Sequence, residues 1–489
     1  MSSFIKLSFL TFYIFFLLVP NLYSQETRIL GIAPSYKNEK VKFYKYSDNI
    51  TKLEEELFSI NIDSTGKFSH VFNLQNTTFA FAYLGVFRCV FYIESGKDLW
   101  LNFPKKTTKS IEDILNPYFK ITDFFIGMND TLLTDLNYSI KTFDDEIDEY
   151  LNSNFFNLYS KARKSDIDSI ITNIEVKYSK SENQYFNDYR KYKYAYLQNI
   201  AYIRNQNFAT KEFFKNQPIL YNNNAYMDFF NMLFSNFLSL YAVSKEGSEI
   251  TNDIILAKSI SYIKNTLQKN ISFQDEKLQE FIVLKGIYDA FFVKKTGEYK
   301  LFPSRQMFQV LDSIAILSKQ PEHKLIAKNI QKKVLNLHIG TDAPYFELND
   351  SKINKFKLKE TDDKYLYISF IHSKSMTCQE ELSLVKELHK KYKREIKFIS
   401  ISFDENFKDA IKLFDDKSYD WTLLNGTENI DLLKIYNIKA FPTYYFISKD
   451  LKLINSPAQS PKENFESIFL RNYKSKEYEA PKDYEELFK

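Results

Sequence analysis

The sequence predicts a mixed α/β domain at the C-terminal end, preceded by a small β-sandwich-like domain and an α-helical region. Three observations carry this. Residues 28 to about 104 alternate apolar and polar side chains between turn signals. Between Pro117 and Pro303 there is one proline, Pro218, and no glycine falls between Gly127 and Gly247, the absence that long helices need. Beyond residue 337 buried-strand runs alternate with helical stripes, the pattern of a sheet with covering helices.

The chain has 489 residues, 44% of them apolar and 26% charged, with a net charge of +4. That composition fits a folded multidomain protein and gives no electrostatic case for nucleic acid. The abundant Phe and Tyr read as a compositional bias of the coding genome. The cysteines are two, Cys89 and Cys378, too few for a disulfide scaffold or a Cys-rich metal site. The histidines (His70, His323, His338, His372, His389) form no close pair at metal-ligand spacing, and there is no Gly-rich phosphate loop. No metal and no cofactor is expected.

At the N-terminus Lys6 precedes an apolar run from Leu7 to Val19, broken by Pro20, and Ser24 offers a small residue before Gln25. This is the pattern of a secretory signal over residues 1–24, its apolar core too short to span a bilayer comfortably. No cysteine follows the run to carry a lipid. The expected location is extracytoplasmic, the periplasm in a bacterium, with no transmembrane segment after signal cleavage.

Residues 25–104 form the β-rich zone. Val41 to Tyr46 and Phe87 to Ile93 alternate as strands, and Asp63-Ser64-Thr65-Gly66 and Glu94-Ser95-Gly96-Lys97 are turns, so a small antiparallel sandwich is expected. Cys89 alternates within a strand and reads as a small buried side chain. Residues 105–335 form the helical region: Ile167, Ile170, Ile171 and Ile174 make an i, i+3, i+4, i+7 stripe, and Phe229 to Phe234 continues it densely. These aromatics read as core, and Lys161, Arg163 and Lys164 as a solvated face.

From 337 to 475, Leu366 to Ile371 and Ile396 to Phe403 read as buried strands joined by a helix over Gln379 to Tyr392. A crossover of that length predicts a parallel pair. A helix near Phe407 to Phe414 follows, then Tyr444 to Ser448 and Leu451 to Ile454 around a tight turn, an antiparallel pair, and a last helix from Pro461 to Leu470. Residues 476–489 are a polar tail.

Two segments in this zone carry a resemblance. Gly340-Thr341-Asp342-Ala343-Pro344-Tyr345-Phe346-Glu347-Leu348 is similar to a G-x-x-A-P-x-F-x-L opening, and Tyr436 to Thr443 to a Y-x-V-x-x-x-P-T segment with Ile438 in place of valine. In this order around a strand-helix-strand unit they resemble the thioredoxin-fold domains of the TlpA-like and alkyl-hydroperoxide-reductase/thiol-specific-antioxidant type. The first two zones are more weakly similar to the β-rich domain of unknown function and helical region that often precede such domains in secreted bacterial proteins. The resemblance implies thiol-disulfide oxidoreductase ancestry and a cis peptide bond before Pro442. It also implies a site shaped by Phe441, Pro442, Thr443 and the acidic Glu381.

The active segment departs from that pattern. Redox-active members open the helix after the first strand with W-C-x-x-C-R-x-E; here His372-Ser373-Lys374-Ser375-Met376-Thr377-Cys378-Gln379-Glu380-Glu381 puts Ser375 at the first cysteine and Cys378 at the second. A thiolate at a helix N-terminus is stabilised by the dipole and free N–H groups, and a second cysteine one turn on resolves the mixed disulfide. A serine hydroxyl stays protonated and cannot form a disulfide, so the two-cysteine cycle is unavailable. Three readings remain open. The domain is a binding or scaffold module for a protein or peptide client beside Pro442; or Cys378 acts alone as a one-cysteine peroxidase; or Cys378 supports weak thiol exchange. A peroxidatic T-x-x-C reading matches Ser375 but meets Ile371 where a proline is expected, and Arg394 and Arg471 fall at the wrong places. Cys378 also reads simply as a packed small side chain, and His372 as a surface histidine.

Overall fold

The computed structural model describes residues 25–474 except 112, 114–115, 117–118, 120, 129–131, 133, 161–162, 204, 271, 293–300 and 360–361. The expected signal (1–24) and polar tail (476–489) lie outside the described residues. The chain divides into two compact units. One draws its described residues from Met1–Thr107, Ile121–Ser235 and Asn270–Leu278, the other from Thr108–Lys120, Asn236–Lys269 and Gln279–Lys489. The helical region is thus shared between them.

In the first unit eight strands, β1 (Gln25–Ile32), β2 (Lys40–Tyr46), β3 (Glu54–Asn61), β4 (Lys67–Leu74), β5 (Thr78–Leu84), β6 (Phe87–Ile93), β7 (Asp98–Leu101) and β8 (Thr122–Phe125), form two sheets, β4-β1-β7 and β3-β2-β5-β6-β8. Their inner faces meet in one core holding Ile29, Phe43, Phe58, Ile60, Ala82, Cys89 and Phe91. β5 and β6 join through Gly85 at φ +64°, where a Cβ would lie 1.5 Å from the Thr107 carbonyl oxygen; only glycine fits such a turn.

The sandwich differs from the expected antiparallel one at two edges. β7 runs parallel to β1, and β8 runs parallel to β6, with Cys89 opposite Phe124. β8 comes from beyond residue 104, so the sheet is completed by a strand from the next zone. Parallel neighbours need a long connection. The chain supplies it by passing through the other sheet before β7 and through residues 102–121 before β8.

Among the described residues this unit also holds the α-helices α1 (Leu136–Ser160), α2 (Lys164–Tyr178), α3 (Gln184–Gln198), α4 (Gln206–Phe213) and α5 (Asn224–Leu233). The Asn-rich composition has a local use here. Asn183, Asn205 and Asn223 cap α3, α4 and α5, each side chain accepting the N–H three residues on, which supplies one of the orphan donors of a helix start. Asn137 docks α1 on β6 by accepting the Tyr92 N–H at 2.6 Å and donating to the Tyr92 carbonyl at 2.9 Å. Arg190 on α3 grips Glu175 on α2 through two hydrogen bonds of 3.1 and 2.9 Å. Ile167 is fully buried, while Ile170, Ile171 and Ile174 are half-buried on the same stripe.

In the second unit α6 (Phe237–Ala242), α7 (Ile260–Leu267), α8 (Glu276–Phe292) from Gln279 onward, α9 (Ser304–Leu317) and α10 (Pro321–Leu335) precede the C-terminal domain. α8 packs closely on α6 because Gly286 has no side chain; a Cβ there would meet Leu238 Cβ at 2.3 Å. A polar cluster sits inside these helices. Glu280 on α8 accepts hydrogen bonds from Ser318, at the end of α9, and pairs with His323 Nδ1 on α10 at 2.7 Å. His323 is fully buried and stacks on Phe281.

The C-terminal domain opens with a short hairpin, β9 (Glu347–Asn349) and β10 (Lys355–Lys357), followed by β11 (Tyr365–Ile371), α11 (Met376–Tyr392), β12 (Ile396–Ser402), α12 (Phe407–Lys417), β13 (Thr422–Asn425), α13 (Leu432–Ile435), β14 (Thr443–Ile447), β15 (Leu453–Ala458) and α14 (Phe465–Lys474). The sheet order is β13-β12-β11-β14-β15. β11, β12 and β13 are parallel, and β14 and β15 are antiparallel to their neighbours. Successive residues of β11 face two cores. Leu366, Ile368 and Phe370 join Ile399, Leu433 and Tyr445 on one side. Tyr367 and Ile371 join Cys378, Leu382, Val385 and Phe465 on the other. Burial on both faces is why the strand reads as an unbroken apolar run. The strand β13 was not expected: four residues carry too little periodicity to announce a strand.

Candidate functional site

The site lies at the carboxyl ends of β11 and β12, where open α/β sheets place their crevices. Ser375 is the N-cap of α11: its φ and ψ are extended and its hydroxyl accepts the Cys378 N–H at 3.3 Å. The helix thus starts at Met376, three residues before the expected Gln379, with the Ser375 hydroxyl at the N-cap and the Cys378 sulfur on the first turn. Met376, between them, is 77% exposed.

Cys378 faces inward. Its residue surface is fully buried in the core formed with Ile371, Leu382 and Tyr444. Burial pushes the thiol above its ordinary value. Hydrogen bonding from the His372 backbone and the Ser375 hydroxyl acts the other way, while the Glu381 and Asp404 charges raise it further. The helix start, which would favour a thiolate, is outweighed here by desolvation. Cys89, in the first unit, is also a free, buried thiol, pushed up to about 12 by burial.

Glu381 is 6% exposed and turns into the same core. Its Oε2 and the Tyr444 hydroxyl are both buried, and the two side chains lie against each other. The Tyr444 phenol is pushed well above its ordinary range by burial first, then by Tyr367 and Glu381. Glu381 thus lies on the covered side of α11 rather than on its solvent side.

The register of the sheet brings in the other expected residues. Thr443 pairs with Phe370 at the start of β14, which sets Phe441 and Pro442 beside the loop leaving β11. The Phe441–Pro442 peptide bond is cis. The Phe441 ring lies 6.2 Å from the His372 ring and stacks on Phe403 at 5.9 Å. Thr443 Oγ1 donates to the Ala440 carbonyl at 2.7 Å. Residues 441 to 443 are each half-buried.

Three residues of the site escape the sequence reading: Ser373, Ser402 and Asp404. Asp404 follows β12 and is 1% exposed. It accepts the Ser373 N–H and hydroxyl and the Ser402 hydroxyl. His372, read as a surface histidine, is half-buried with its side chain 19% exposed; its Nδ1 accepts the Lys374 N–H at 3.3 Å and lies 3.4 Å from Asp404 Oδ1. The available signal was a carboxylate immediately after a fully buried strand, a position where a charge must find donors. Among the described residues no group of His, Cys, Asp and Glu is arranged to hold a metal.

Residues 339–456 match the model of the AhpC/TSA family. Over those residues the C-terminal domain, with its thioredoxin-like fold, is similar to that family. The thiol-disulfide oxidoreductase ResA of Bacillus thuringiensis subsp. konkukian is 29% identical over 140 residues, covering 28% of this chain and 79% of the relative. The ResA of a Bacillus cereus strain matches to the same extent. Among solved structures, the thioredoxin domain of a thiol-disulfide oxidoreductase from Bacteroides vulgatus aligns at 20% identity and a TM-score of 0.25, over 27% of this chain and 95% of that one. A thiol-disulfide oxidoreductase from Bacteroides fragilis aligns at 21% and 0.25, over 27% and 99%. The family match falls on residues 339–456, and the helix start within it carries Ser375 and Cys378.

Proposed function

We propose that the protein is exported and that its thioredoxin-fold domain works as a binding or scaffold module for an extended protein or peptide segment, without two-cysteine exchange. One observation carries this reading: the N-cap position suited to an attacking thiolate holds the Ser375 hydroxyl, and the one sulfur of the site, Cys378, is fully buried with its thiol pushed up. A hydroxyl cannot form a disulfide, and a protonated, covered thiol is a poor nucleophile. The surface beside it suits a partner. Met376 is exposed at the helix start, and the backbone from Lys439 to Thr443 leads into β14 with its residues exposed or half-buried. An extended segment could pair with that backbone while its side chains contact Met376 and Phe441.

The test is activity with the full chain. The protein is expected to give no reduction of insulin disulfides and no peroxide consumption with an external thiol. Peroxide turnover that disappears on Cys378→Ser would overturn the binding reading in favour of a one-cysteine peroxidase. Export has its own check. Expressed with its leader in a Gram-negative host, the mature chain should begin at Gln25 by intact mass; a cytoplasmic chain of full length would refute it.

A further inference from the structure

Asp404 is a carboxylate with almost no exposed surface, and hydroxyl and amide donors converge on it. The Ser373 N–H bridges both oxygens at 3.2 and 3.0 Å, the Ser373 hydroxyl donates to Oδ1 at 2.5 Å, and the Ser402 hydroxyl donates to Oδ2 at 2.5 Å. Ser402 also accepts the Asp404 N–H at 3.2 Å, which fixes the carboxylate's own turn. Two of these donors belong to the loop between β11 and α11. That loop runs straight into the turn that carries the sulfur: Ser375 accepts the Cys378 N–H, and Ser373 and Cys378 are both buried. The Gln379 amide holds the same loop from the helix side, donating to the Ser373 carbonyl at 2.8 Å. Ser373 therefore uses its N–H, its carbonyl and its hydroxyl at once, and the hydroxyl and N–H depend on Asp404.

We infer that Asp404 is the positioning residue of this site: it clamps the His372–Ser375 loop in the one arrangement that covers Cys378 and presents Ser375 and Met376 outward. The inference deepens the binding reading above, because a surface that recognises a partner must be held in shape. A buried carboxylate is retained at such a place only when its hydrogen bonds are complete. Removing it frees the loop locally and leaves the sheet beneath intact, since β12 keeps its ladders to β11 and β13.

The experiment measures alkylation of Cys378 under native conditions in a Cys89→Ser background, together with amide exchange at Ser373. Asp404→Ala is expected to accelerate alkylation by about tenfold or more, the factor matching the loss of one hydrogen bond to a charged acceptor, and to strip protection from the Ser373 amide. Ser373→Ala, which keeps its N–H, should fall between that variant and the parent. Asp404→Asn, which keeps an acceptor without the charge, should restore part of the protection. Ile401→Val, on the same strand but packed in the opposite core, serves as the control for stability alone and should not accelerate alkylation. The inference is overturned if Asp404→Ala reacts no faster than Ile401→Val at a matched loss of Tm, or if Ser373 exchange is unchanged. Where Asp404→Ala does not fold, parent-like alkylation in both Asp404→Asn and Ser373→Ala overturns it. These readouts do not depend on turnover, so peroxidase or insulin activity would sink the binding reading and leave the clamp standing.

Discussion

Replacing Ser375 with cysteine is expected to restore a reducible disulfide to Cys378 under mild oxidant, with the full chain otherwise unchanged. The Ser375 hydroxyl already reaches over the first turn of α11 to the Cys378 N–H, so a sulfur at that position hangs above the residue it must join. The new thiol would sit at a helix N-cap with the free N–H groups and the dipole to lower its pKa. That is the half of the exchange machinery the wild type lacks. Insulin-disulfide reduction should rise above the parent's level in Ser375→Cys and fall back in Ser375→Cys with Cys378→Ser. Quantifying free thiols after oxidation in a Cys89→Ser background checks the bond itself. A chain that keeps both thiols free under those conditions would show that the loop holds position 375 away from the sulfur.

The largest expected loss of stability comes from the helices of the second unit. His323→Leu should cost about 3–5 kcal/mol, the range for breaking a buried pair and stranding one charge. Glu280, 7% exposed, would be left with the Ser318 hydroxyl. The pH dependence has a definite sign. Burial alone would raise the Glu280 pKa, but hydrogen bonds from His323 and Ser318 outweigh it and hold the carboxyl below its ordinary 4.5. A depressed carboxyl stabilises the fold above its unfolded value and loses that contribution as pH falls through the folded one. In the wild type this contribution is present above pH 4.5 and disappears below it. The stability difference between wild type and His323→Leu, measured by urea unfolding, should therefore shrink as pH drops below 4.5. A difference constant with pH would mean that the pair contributes through packing on Phe281 alone.

The helix start shows how far a sequence carries. The spacing of Ser375 and Cys378 and the acidic Glu381 were legible because a helix turn is a local object: three residues along the chain are one turn in space. Their chemistry followed from residue type, since a hydroxyl cannot do what a thiol does. Asp404 was not legible because its partner Ser373 lies thirty-one residues back, in the loop that follows another strand, and only the parallel register of β11 and β12 brings the two together. The same holds for β8, whose four residues carry no signal of their own and become a strand by pairing with β6.

By itself the sequence determined the order of a β-rich zone, a helical zone and an α/β domain, and it placed a serine, Ser375, three residues before Cys378. These are properties of periodicity and of side-chain chemistry, which local reading can reach. Tertiary structure alone decided that Cys378 is sealed, that Glu381 turns inward to Tyr444 and that Asp404 holds the loop above them. Burial and hydrogen-bond partnership are set by which distant segments pack together, and desolvation, not the residue's name, sets the reactivity of a thiol.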